Sequence, residues 1–279
     1  MIINNTRKIL KANNFYPKKK FGQNFLINPG VLDTILKNSD LNKDKGVIEI
    51  GPGLGALTEV LAMNAKKVLC YEIDNEMINI LRNNLHKFNN VIIENKDFLK
   101  VDLDADIEKY LKEVSQIVVV ANLPYYITTL ILFKLLAHAG LNKLILMVQK
   151  EVGSRLTGKP NTKDYNALSV LMAYKTKSRL ISTISPNSFY PAPKVESALL
   201  DIEVVKPDYK VKNEGQFLKF IRAIFTQKRK TLVNNIVFNY DINKDEVKEI
   251  LIKFNFKENI RAEALDISQI VELYKIIFE

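Results

Sequence analysis

The sequence predicts an α/β protein, in which a parallel sheet with helices on both faces is followed by a small helical domain. Three observations predict this fold. Short β-branched runs alternate with stretches long enough for helices, a glycine-rich turn follows the first run, and strand signals stop after Val205. The 279-residue chain is long enough for both parts, since a domain usually holds about 100–200 residues.

The predicted strands are short runs rich in valine and isoleucine. They are Val47–Ile50, Val68–Ile73, Val91–Glu94, Ile117–Ala121 and Leu144–Val148. Continuous apolar runs of this kind fit strands that are buried on both faces of a sheet. We expect a helix to begin at Asn28-Pro29, because asparagine suits the N-cap and proline the first helical position. The segment after Asn75 is also helical by its apolar spacing.

The chain is expected to have three parts. Residues 1–20 form a mobile basic arm, residues 21–205 form the sheet domain, and residues 206–279 form a helical domain. The helices predicted in the last part are Phe217–Ile236, Asp245–Phe254 and Ser268–Phe278. Asp266 and Gln269 have the spacing of a capping box at the start of the third helix.

The net charge of +10 lies mainly at the two ends of the chain. Residues 1–20 hold six basic and no acidic residues, residues 21–140 hold 12 and 15, and residues 206–279 hold 14 and 11. Basic flanks around a slightly acidic body suit a protein that binds a polyanion. A lysine-rich composition from A/T-biased coding explains the charge equally well, so charge alone leaves nucleic-acid binding open.

The counts of cysteine and histidine exclude several classes of protein. With only Cys70, His86 and His138, the chain has neither a disulfide scaffold nor a structural zinc site. No apolar run reaches the roughly 18 residues of a membrane span, and the N-terminus has no signal core. We therefore expect a cytoplasmic protein that binds no metal and no membrane.

The segment Glu49–Gly55 places a glycine-rich turn directly after the first strand, where the backbone can approach a ligand closely. Glu72 lies at the end of the second strand, and an acid there accepts hydrogen bonds from ribose hydroxyls of dinucleotides and of S-adenosylmethionine alike. Glu49 favours S-adenosylmethionine, because a carboxylate repels a pyrophosphate and attracts an ammonium or a sulfonium. Asp97 follows the third strand and can accept a bond from an adenine amino group, although capping a turn is the alternative role.

The fourth strand is followed by Asn122-Leu123-Pro124-Tyr125, at the edge where open α/β sheets bind their ligands. The Asn122 side chain and the Leu123 carbonyl can accept both N–H bonds of an adenine amine and direct its lone pair toward a methyl group. Pro124 stiffens this loop, and Tyr125 offers a face for stacking on an extruded base.

These residues resemble a known family, the small-subunit ribosomal RNA adenine N6-dimethyltransferases, whose loss gives kasugamycin resistance in bacteria. The resemblance covers nearly the whole chain. It rests on six ordered motifs, which are residues 20–26, 49–55, 122–125, 188–197, 223–232 and 261–263. One departure is Ala192, which stands where the family more often has proline.

The resemblance implies a Rossmann-like methyltransferase domain with a seven-stranded sheet, a small helical domain and S-adenosylmethionine as the cofactor. It implies cofactor contacts at Asn24, Leu26, Gly51, Glu72, Asp97 and Asn122. It also places Phe189 opposite Tyr125, where it would close the base pocket. The implied reaction transfers four methyl groups to two adjacent adenosines in a hairpin loop near the 3′ end of small-subunit rRNA, within an assembling subunit. We expect a monomer.

Basic residues at two places are candidates for RNA binding. They are Lys18, Lys19 and Lys20 in the arm, and Lys228, Arg229 and Lys230 on the predicted helix Phe217–Ile236. A solvated helix face is the alternative for the second group. Three other functions were weighed: an erythromycin-resistance methyltransferase that acts on large-subunit RNA, a catalytically silent assembly or transcription factor, and a nicotinamide dehydrogenase.

Overall fold

The computed structural model describes residues 1–138 and 140–279, and the backbone alone for Lys19. The chain divides into two compact units. The first unit comprises Met1–Gly153 and Arg179–Val204, and the second comprises Ser154–Ser178 and Val205–Glu279. The segment Ser154–Ser178 therefore lies outside the sheet unit, although it falls within residues 21–205, the range predicted for the sheet domain.

A sheet of seven strands forms the centre of the first unit, within the described residues. The strands of the chain are β1 (Phe25–Leu26), β2 (Gly46–Ile50), β3 (Lys67–Tyr71), β4 (Val91–Glu94), β5 (Ile117–Asn122), β6 (Lys143–Gln149), β7 (Thr176–Ile184), β8 (Phe189–Tyr190) and β9 (Ser197–Val204). The order in the sheet is β4-β3-β2-β5-β6-β9-β7, and the short strands β1 and β8 pair separately. Strands β4, β3, β2, β5 and β6 are parallel neighbours, whereas β9 runs antiparallel to β6.

Helices connect the strands and form the second unit. They are α1 (Thr6–Ala12), α2 (Pro29–Ser39), α3 (Ala56–Asn64), α4 (Asn75–Leu85), α5 (Leu103–Leu111), α6 (Thr128–Ala137), α7 (Lys150–Leu156), α8 (Ala167–Lys175), α9 (Glu214–Ile224), α10 (Leu232–Asn239), α11 (Lys244–Lys253) and α12 (Ile267–Phe278). The Rossmann-like fold class is confirmed, and each of the five predicted strands lies within two residues of an observed one.

Local sequence explains the main elements. The strand segments Gly46–Ile50 and Ile117–Ala121 are buried along their whole length, as expected for central strands with helices on both faces. Helix α2 begins as predicted, because the Asn28 side chain accepts the Gly30 amide at 3.0 Å. The capping box at the start of α12 is also present, with Asp266 and Gln269 as its two members.

The N-terminal arm differs from its prediction. Residues 2–5 form a 3₁₀ helix, α1 follows, and the apolar side chains of this segment belong to the core of the first unit. These side chains are Ile2, Ile3, Leu10 and Phe15, which are at most 8% exposed. The prediction of a mobile arm was wrong, because four apolar residues among the lysines bury against the sheet unit and hold the segment in place.

The second unit has its own hydrophobic core, built from α8 to α12. Edge-to-face aromatic contacts join three of its helices: the ring centroids of Tyr174 and Phe217 are 4.9 Å apart, and those of Phe217 and Tyr274 are 5.1 Å apart. Tyr174 lies on α8, which explains why Ser154–Ser178 groups with this unit.

The predicted helix Phe217–Ile236 is two helices, α9 and α10, joined by a loop. Thr231 caps α10 by accepting the Asn234 amide, so a new helix begins there. The buried side chain of Asn235 accepts the Gln227 amide at 3.0 Å and donates to the Gln227 carbonyl at 3.2 Å. Helical spacing continues across this loop in the sequence, and only these polar contacts reveal the break.

Candidate active site

The loop between β2 and α3 is the glycine turn that the sequence predicts. Gly51, Gly53 and Gly55 have φ values of +70°, +57° and +90°, which glycine adopts without steric cost. A Cβ on Gly53 would lie 3.0 Å from ring carbons of Phe25. The Gly51 amide donates to the Tyr71 carbonyl at 2.9 Å and ties the turn to the end of β3. A ligand can therefore approach the backbone closely at this edge.

Glu72 directly follows β3 and is 5% exposed. Its carboxyl oxygens accept the Gly53 amide at 3.2 Å and the Asp74 amide at 2.9 Å. Burial raises the pKa of Glu72, and the backbone hydrogen bonds act in the opposite direction. Each carboxylate oxygen can accept a second hydrogen bond. Glu72 is thus equipped to bind two ribose hydroxyls.

Asp97 follows β4 and caps the short 3₁₀ helix Phe98–Lys100. Its Oδ1 accepts the Leu99 amide at 3.0 Å, so the capping role weighed as the alternative is present. Its other oxygen has no hydrogen bond to any residue of 1–138 or 140–279, and Asp97 lines the same cavity as Glu72. One side chain can therefore cap the turn and accept a bond from an adenine amino group.

One cavity brings these groups together. Its wall includes every residue predicted to bind the cofactor, namely Asn24, Leu26, Gly51, Glu72, Asp97 and Asn122. The wall also includes Leu123, Pro124 and Tyr125. The topology explains this meeting, because β4, β3, β2 and β5 are parallel neighbours and their carboxyl ends lie at one edge of the sheet.

The loop Asn122–Tyr125 is held by hydrogen bonds at both ends. Asn122 lines the cavity, and its Nδ2 donates to the Asn24 carbonyl at 3.1 Å, which leaves its Oδ1 available as an acceptor. The Leu123 amide donates to the Met147 carbonyl of β6 at 3.0 Å. The Thr128 hydroxyl donates to the Pro124 carbonyl at 3.0 Å. The acceptors proposed for an adenine amine are thus on a fixed backbone.

Tyr125 and Phe189 differ in their positions. The Tyr125 hydroxyl lies 2.8 Å from Ser197 Oγ, and Tyr125 is on the cavity wall. Phe189 is 2% exposed, belongs to the hydrophobic core and does not line the cavity. In β8 it pairs with Leu26 of β1. Closure of the base pocket by Phe189 stays a prediction.

The predicted RNA-binding residues have different environments. Lys18 Nζ forms ion pairs with Asp74 at 2.8 Å and Glu76 at 2.9 Å, so its charge is already compensated within the first unit. The side chain of Lys19 lies outside the described residues. Lys20 is exposed, and its Nζ lies 4.7 Å from the ring centroid of Phe21.

Lys228, Arg229 and Lys230 are exposed in the second unit. They lie in the loop between α9 and α10, and not on a helix as predicted. Lys228 Nζ donates to the Lys163 carbonyl at 3.1 Å. These residues therefore form an exposed loop with three adjacent cations, and the alternative of a solvated helix face does not apply.

Three residues that contribute to the site were not predicted from the sequence. Thr6 lines the cavity although it belongs to the predicted arm, and no local signal indicated this. Tyr126 lines it as well and is 58% exposed. Ser197 fixes the Tyr125 hydroxyl from β9, and its place in the motif at residues 188–197 was the available signal.

Among the residues that the structure describes, no group of three or more histidine, cysteine, aspartate or glutamate side chains is arranged to hold a metal ion. No helix found there is long and apolar enough to cross a membrane.

One cavity combines the glycine turn after β2, an acid after β3, an acid after β4 and an asparagine at the end of β5. This combination defines a Rossmann-like S-adenosylmethionine-dependent methyltransferase. The family model described as ribosomal RNA adenine dimethylase matches residues 14–278. The chain belongs to this family, and it is an S-adenosylmethionine-dependent rRNA adenine dimethyltransferase. Membership of this family excludes the function of a nicotinamide dehydrogenase, which the glycine turn alone would permit.

Relatives and solved structures agree with this assignment. The chain is 43% identical over 275 residues to a ribosomal RNA small subunit methyltransferase A of Geobacillus kaustophilus, covering 96% of this chain and 93% of the relative. A dimethyladenosine transferase from Plasmodium falciparum is similar with a TM-score of 0.75 and 26% identity, over 91% of this chain and 97% of that one. The 23S rRNA methyltransferase ErmE shares the fold, with a TM-score of 0.69, 23% identity and coverage of 92% and 100%.

Proposed function

We propose that this chain dimethylates N6 of two adjacent adenosines in the 3′-terminal hairpin loop of small-subunit rRNA, in the cytoplasm, while the subunit is assembling. The observation that carries the proposal is the shared cavity, in which the Asn122–Tyr125 loop adjoins Glu72 and Asp97. The similarity to the small-subunit methyltransferase of Geobacillus kaustophilus favours small-subunit RNA over large-subunit RNA.

The residues present fit the cofactor. S-adenosylmethionine supplies an electrophilic methyl group on a sulfonium. We assign the Glu72 carboxylate to the ribose hydroxyls and Asp97 to the adenine amino group, because both acids have acceptor capacity on the cavity wall. The backbone at Gly51 allows close approach, and Asn24 and Leu26 complete the wall from the N-terminal side.

Asn122 and Leu123 orient the target amine. The lone pair of an adenine amine is delocalised into the ring, so the nitrogen attacks poorly until its N–H bonds are held. Asn122 Oδ1 and the Leu123 carbonyl accept these bonds and stabilise the positive charge that develops on nitrogen. The hydrogen bond from Asn122 Nδ2 to Asn24 fixes the amide in the orientation this requires. No strong base is needed, because the alkylated amine is acidic.

Tyr125 is assigned to the extruded base. Base–aromatic stacking contributes about 1–3 kcal/mol per base in single-stranded recognition. The contact of its hydroxyl with Ser197 at 2.8 Å holds the ring in one orientation, with Pro124 limiting the loop. Phe189 is buried and does not line the cavity, so a second wall for the base can also come from other residues. Tyr126, which is exposed on the same cavity, is the candidate.

The exposed cations Lys20, Lys228, Arg229 and Lys230 are assigned to phosphates of the RNA. Lys18 is omitted from this assignment, since Asp74 and Glu76 compensate its charge. Phosphate contacts hold a protein on its nucleic acid without reading the sequence, so these residues contribute affinity and leave the choice of adenosine to the cavity.

The test is methyl transfer from labelled S-adenosylmethionine to immature 30S particles, 50S particles and protein-free small-subunit RNA. We expect label in the 30S particles, recovered as N6,N6-dimethyladenosine after digestion, at two adjacent positions. Label confined to 50S particles would overturn the assignment to the small subunit. Label in the small-subunit RNA at a single adenosine, or at a position outside the terminal hairpin, would contradict the proposed target.

A further inference from the structure

Glu49 is a buried carboxyl on the wall of the cofactor cavity. It is the fourth residue of β2, two residues before Gly51, and it is 2% exposed. Its register partners are Cys70 on β3 and Val120 on β5. Glu49 also lines the cavity that holds Glu72 and Asn122. Glu49 is therefore shielded from bulk water and borders the cavity in which a ligand would bind.

The groups that face Glu49 leave its negative charge uncompensated. The Cys70 thiol lies 3.7 Å from Glu49 Oε2, and the buried Thr58 hydroxyl of α3 faces the same carboxyl. The one charged group that acts on it is Glu72, which has the same sign. No lysine, arginine or histidine of the described residues acts on this carboxyl.

Such surroundings favour the neutral acid. Burial, with a smaller contribution from Glu72, raises the pKa of Glu49 to about 8. The Thr58 and Cys70 groups act in the opposite direction and do not offset burial. Burial also raises the pKa of the Cys70 thiol, which therefore stays neutral and supplies no charge of its own. At pH 7 the free protein thus holds a proton at Glu49.

The cofactor brings the missing cations to this cavity, since its methionine end carries an ammonium and a sulfonium. We propose that Glu49 is protonated in the free protein and releases its proton to solvent when the methionine end of S-adenosylmethionine binds, which couples cofactor affinity to pH. The proposal rests on the cofactor assigned above.

The direction of the pH dependence follows from the linkage between proton and ligand. A nearby cation stabilises the carboxylate, so the pKa of Glu49 is lower in the complex than in the free protein. Between these two pKa values each binding event releases about one proton, and affinity rises up to about tenfold per pH unit. Above the pKa of the free protein Glu49 is already ionised, and this contribution to the pH dependence disappears.

Glu72 is the other acid that could release a proton in this cavity, because burial raises its pKa too. The two acids are distinguished by adenosine, which has the ribose hydroxyls for Glu72 but neither the ammonium nor the sulfonium. Release from Glu49 requires S-adenosylmethionine, whereas release from Glu72 would also accompany adenosine binding.

The experiment is calorimetric titration of the full chain in two buffers of different protonation enthalpy. A pH of about 6.5 is suitable, because an α-amino group titrates at about 7.7–8.0 and the ligand is then already an ammonium. We expect wild type to release about one proton with S-adenosylmethionine and none with adenosine. Glu49→Gln should bind S-adenosylmethionine with a heat that does not depend on the buffer.

Glu59→Gln is the matched control. Glu59 lies on α3 next to Thr58 but not on the cavity wall, and its Oε2 accepts the Ile2 amide at 2.7 Å, a bond that glutamine can keep. This variant should release the same number of protons as wild type. If Glu49→Gln does not fold, wild-type affinities measured at several pH values below the pKa of the free protein decide the question: the affinity for S-adenosylmethionine should rise with pH, and the affinity for adenosine should not.

Two results would overturn the proposal: binding by wild type with no proton release and a flat affinity, or equal release by wild type and Glu49→Gln. Failure of wild type to bind S-adenosylmethionine at all is a different outcome, because it contradicts the cofactor assignment on which the proposed function depends.

Discussion

Asn122 shows how one residue joins two parts of the site. It is the last residue of β5, and its Nδ2 donates to the carbonyl of Asn24, which lies 98 residues earlier in the chain. This bond uses the donor side of the amide and leaves Oδ1 for the substrate. The acceptor is therefore oriented before any substrate binds, which is the condition for an electrostatic contribution that needs no reorganisation.

Removing this acceptor tests the assignment. We expect Asn122→Ala to lower kcat by about 100- to 1000-fold, the range seen when one oriented polar group is removed from a charge-stabilising site. Its thermal unfolding should stay near that of wild type, because the alanine leaves no buried charge. The exposed Asn64 at the end of α3 is the control, and Asn64→Ala should keep wild-type turnover in labelled methyl transfer. Unchanged turnover in Asn122→Ala would remove the proposed acceptor.

The N-terminal segment is the element for which the structure differs most from the prediction made from the sequence. Its lysines suggest a solvated arm, yet Ile2, Ile3 and Leu10 lie in the core of the first unit, and the Ile2 amide donates to Glu59 at 2.7 Å. Thr6 reaches the cavity wall. The segment therefore contributes to the stability of the sheet unit and to the shape of its ligand site.

Truncating one core side chain measures that contribution. Leu10 is 4% exposed on α1, so Leu10→Ala should lower the free energy of unfolding by about 2–5 kcal/mol, as other large-to-small core substitutions do. Lys11→Ala, at the exposed neighbouring position, should be close to neutral. Denaturant unfolding monitored by circular dichroism compares the two. Equal, small losses of unfolding free energy in the two variants would indicate that the segment is a mobile arm, as its charge suggests.

At the scale of the whole molecule, positive charge is concentrated in the helical unit. That unit holds 19 basic and 12 acidic residues, whereas the larger sheet unit holds 22 and 19. Within the helical unit, the loop between α9 and α10 presents three adjacent exposed cations. An excess of this kind attracts a polyanion over a distance set by ionic strength, and local contacts decide where the polyanion rests.

Charge reversal separates the local contact from the general attraction. The variant with Lys228, Arg229 and Lys230 all changed to glutamate should bind 30S particles more weakly and with a shallower salt dependence. A control with Lys244, Lys253 and Lys257 changed to glutamate makes the same change in net charge on exposed positions at and after α11. Relative to wild type, the affinity for 30S particles, measured at several salt concentrations, should fall less in the control. Equal salt slopes in both variants would indicate general attraction only.

Local patterns in the sequence predicted most of the sheet unit. Apolar runs and capping residues depend on neighbours within a few positions, so the five parallel strands, α2 and α12 were found near their observed bounds. The ligand site was predictable for the same reason. In a parallel sheet the residues after successive strands must meet at one edge, and Gly51, Glu72, Asp97 and Asn122 do so.

The sequence by itself therefore determined the fold class, the cavity and the chemistry of its main acceptors. Only the tertiary structure decided which groups are buried and which partners they have. It placed Phe189 in the core, compensated Lys18 with two acids and ended α9 before its cationic loop. It also left Glu49 without a cation among the residues that the structure describes. Burial and charge compensation depend on residues distant in the chain, and no local spacing encodes them.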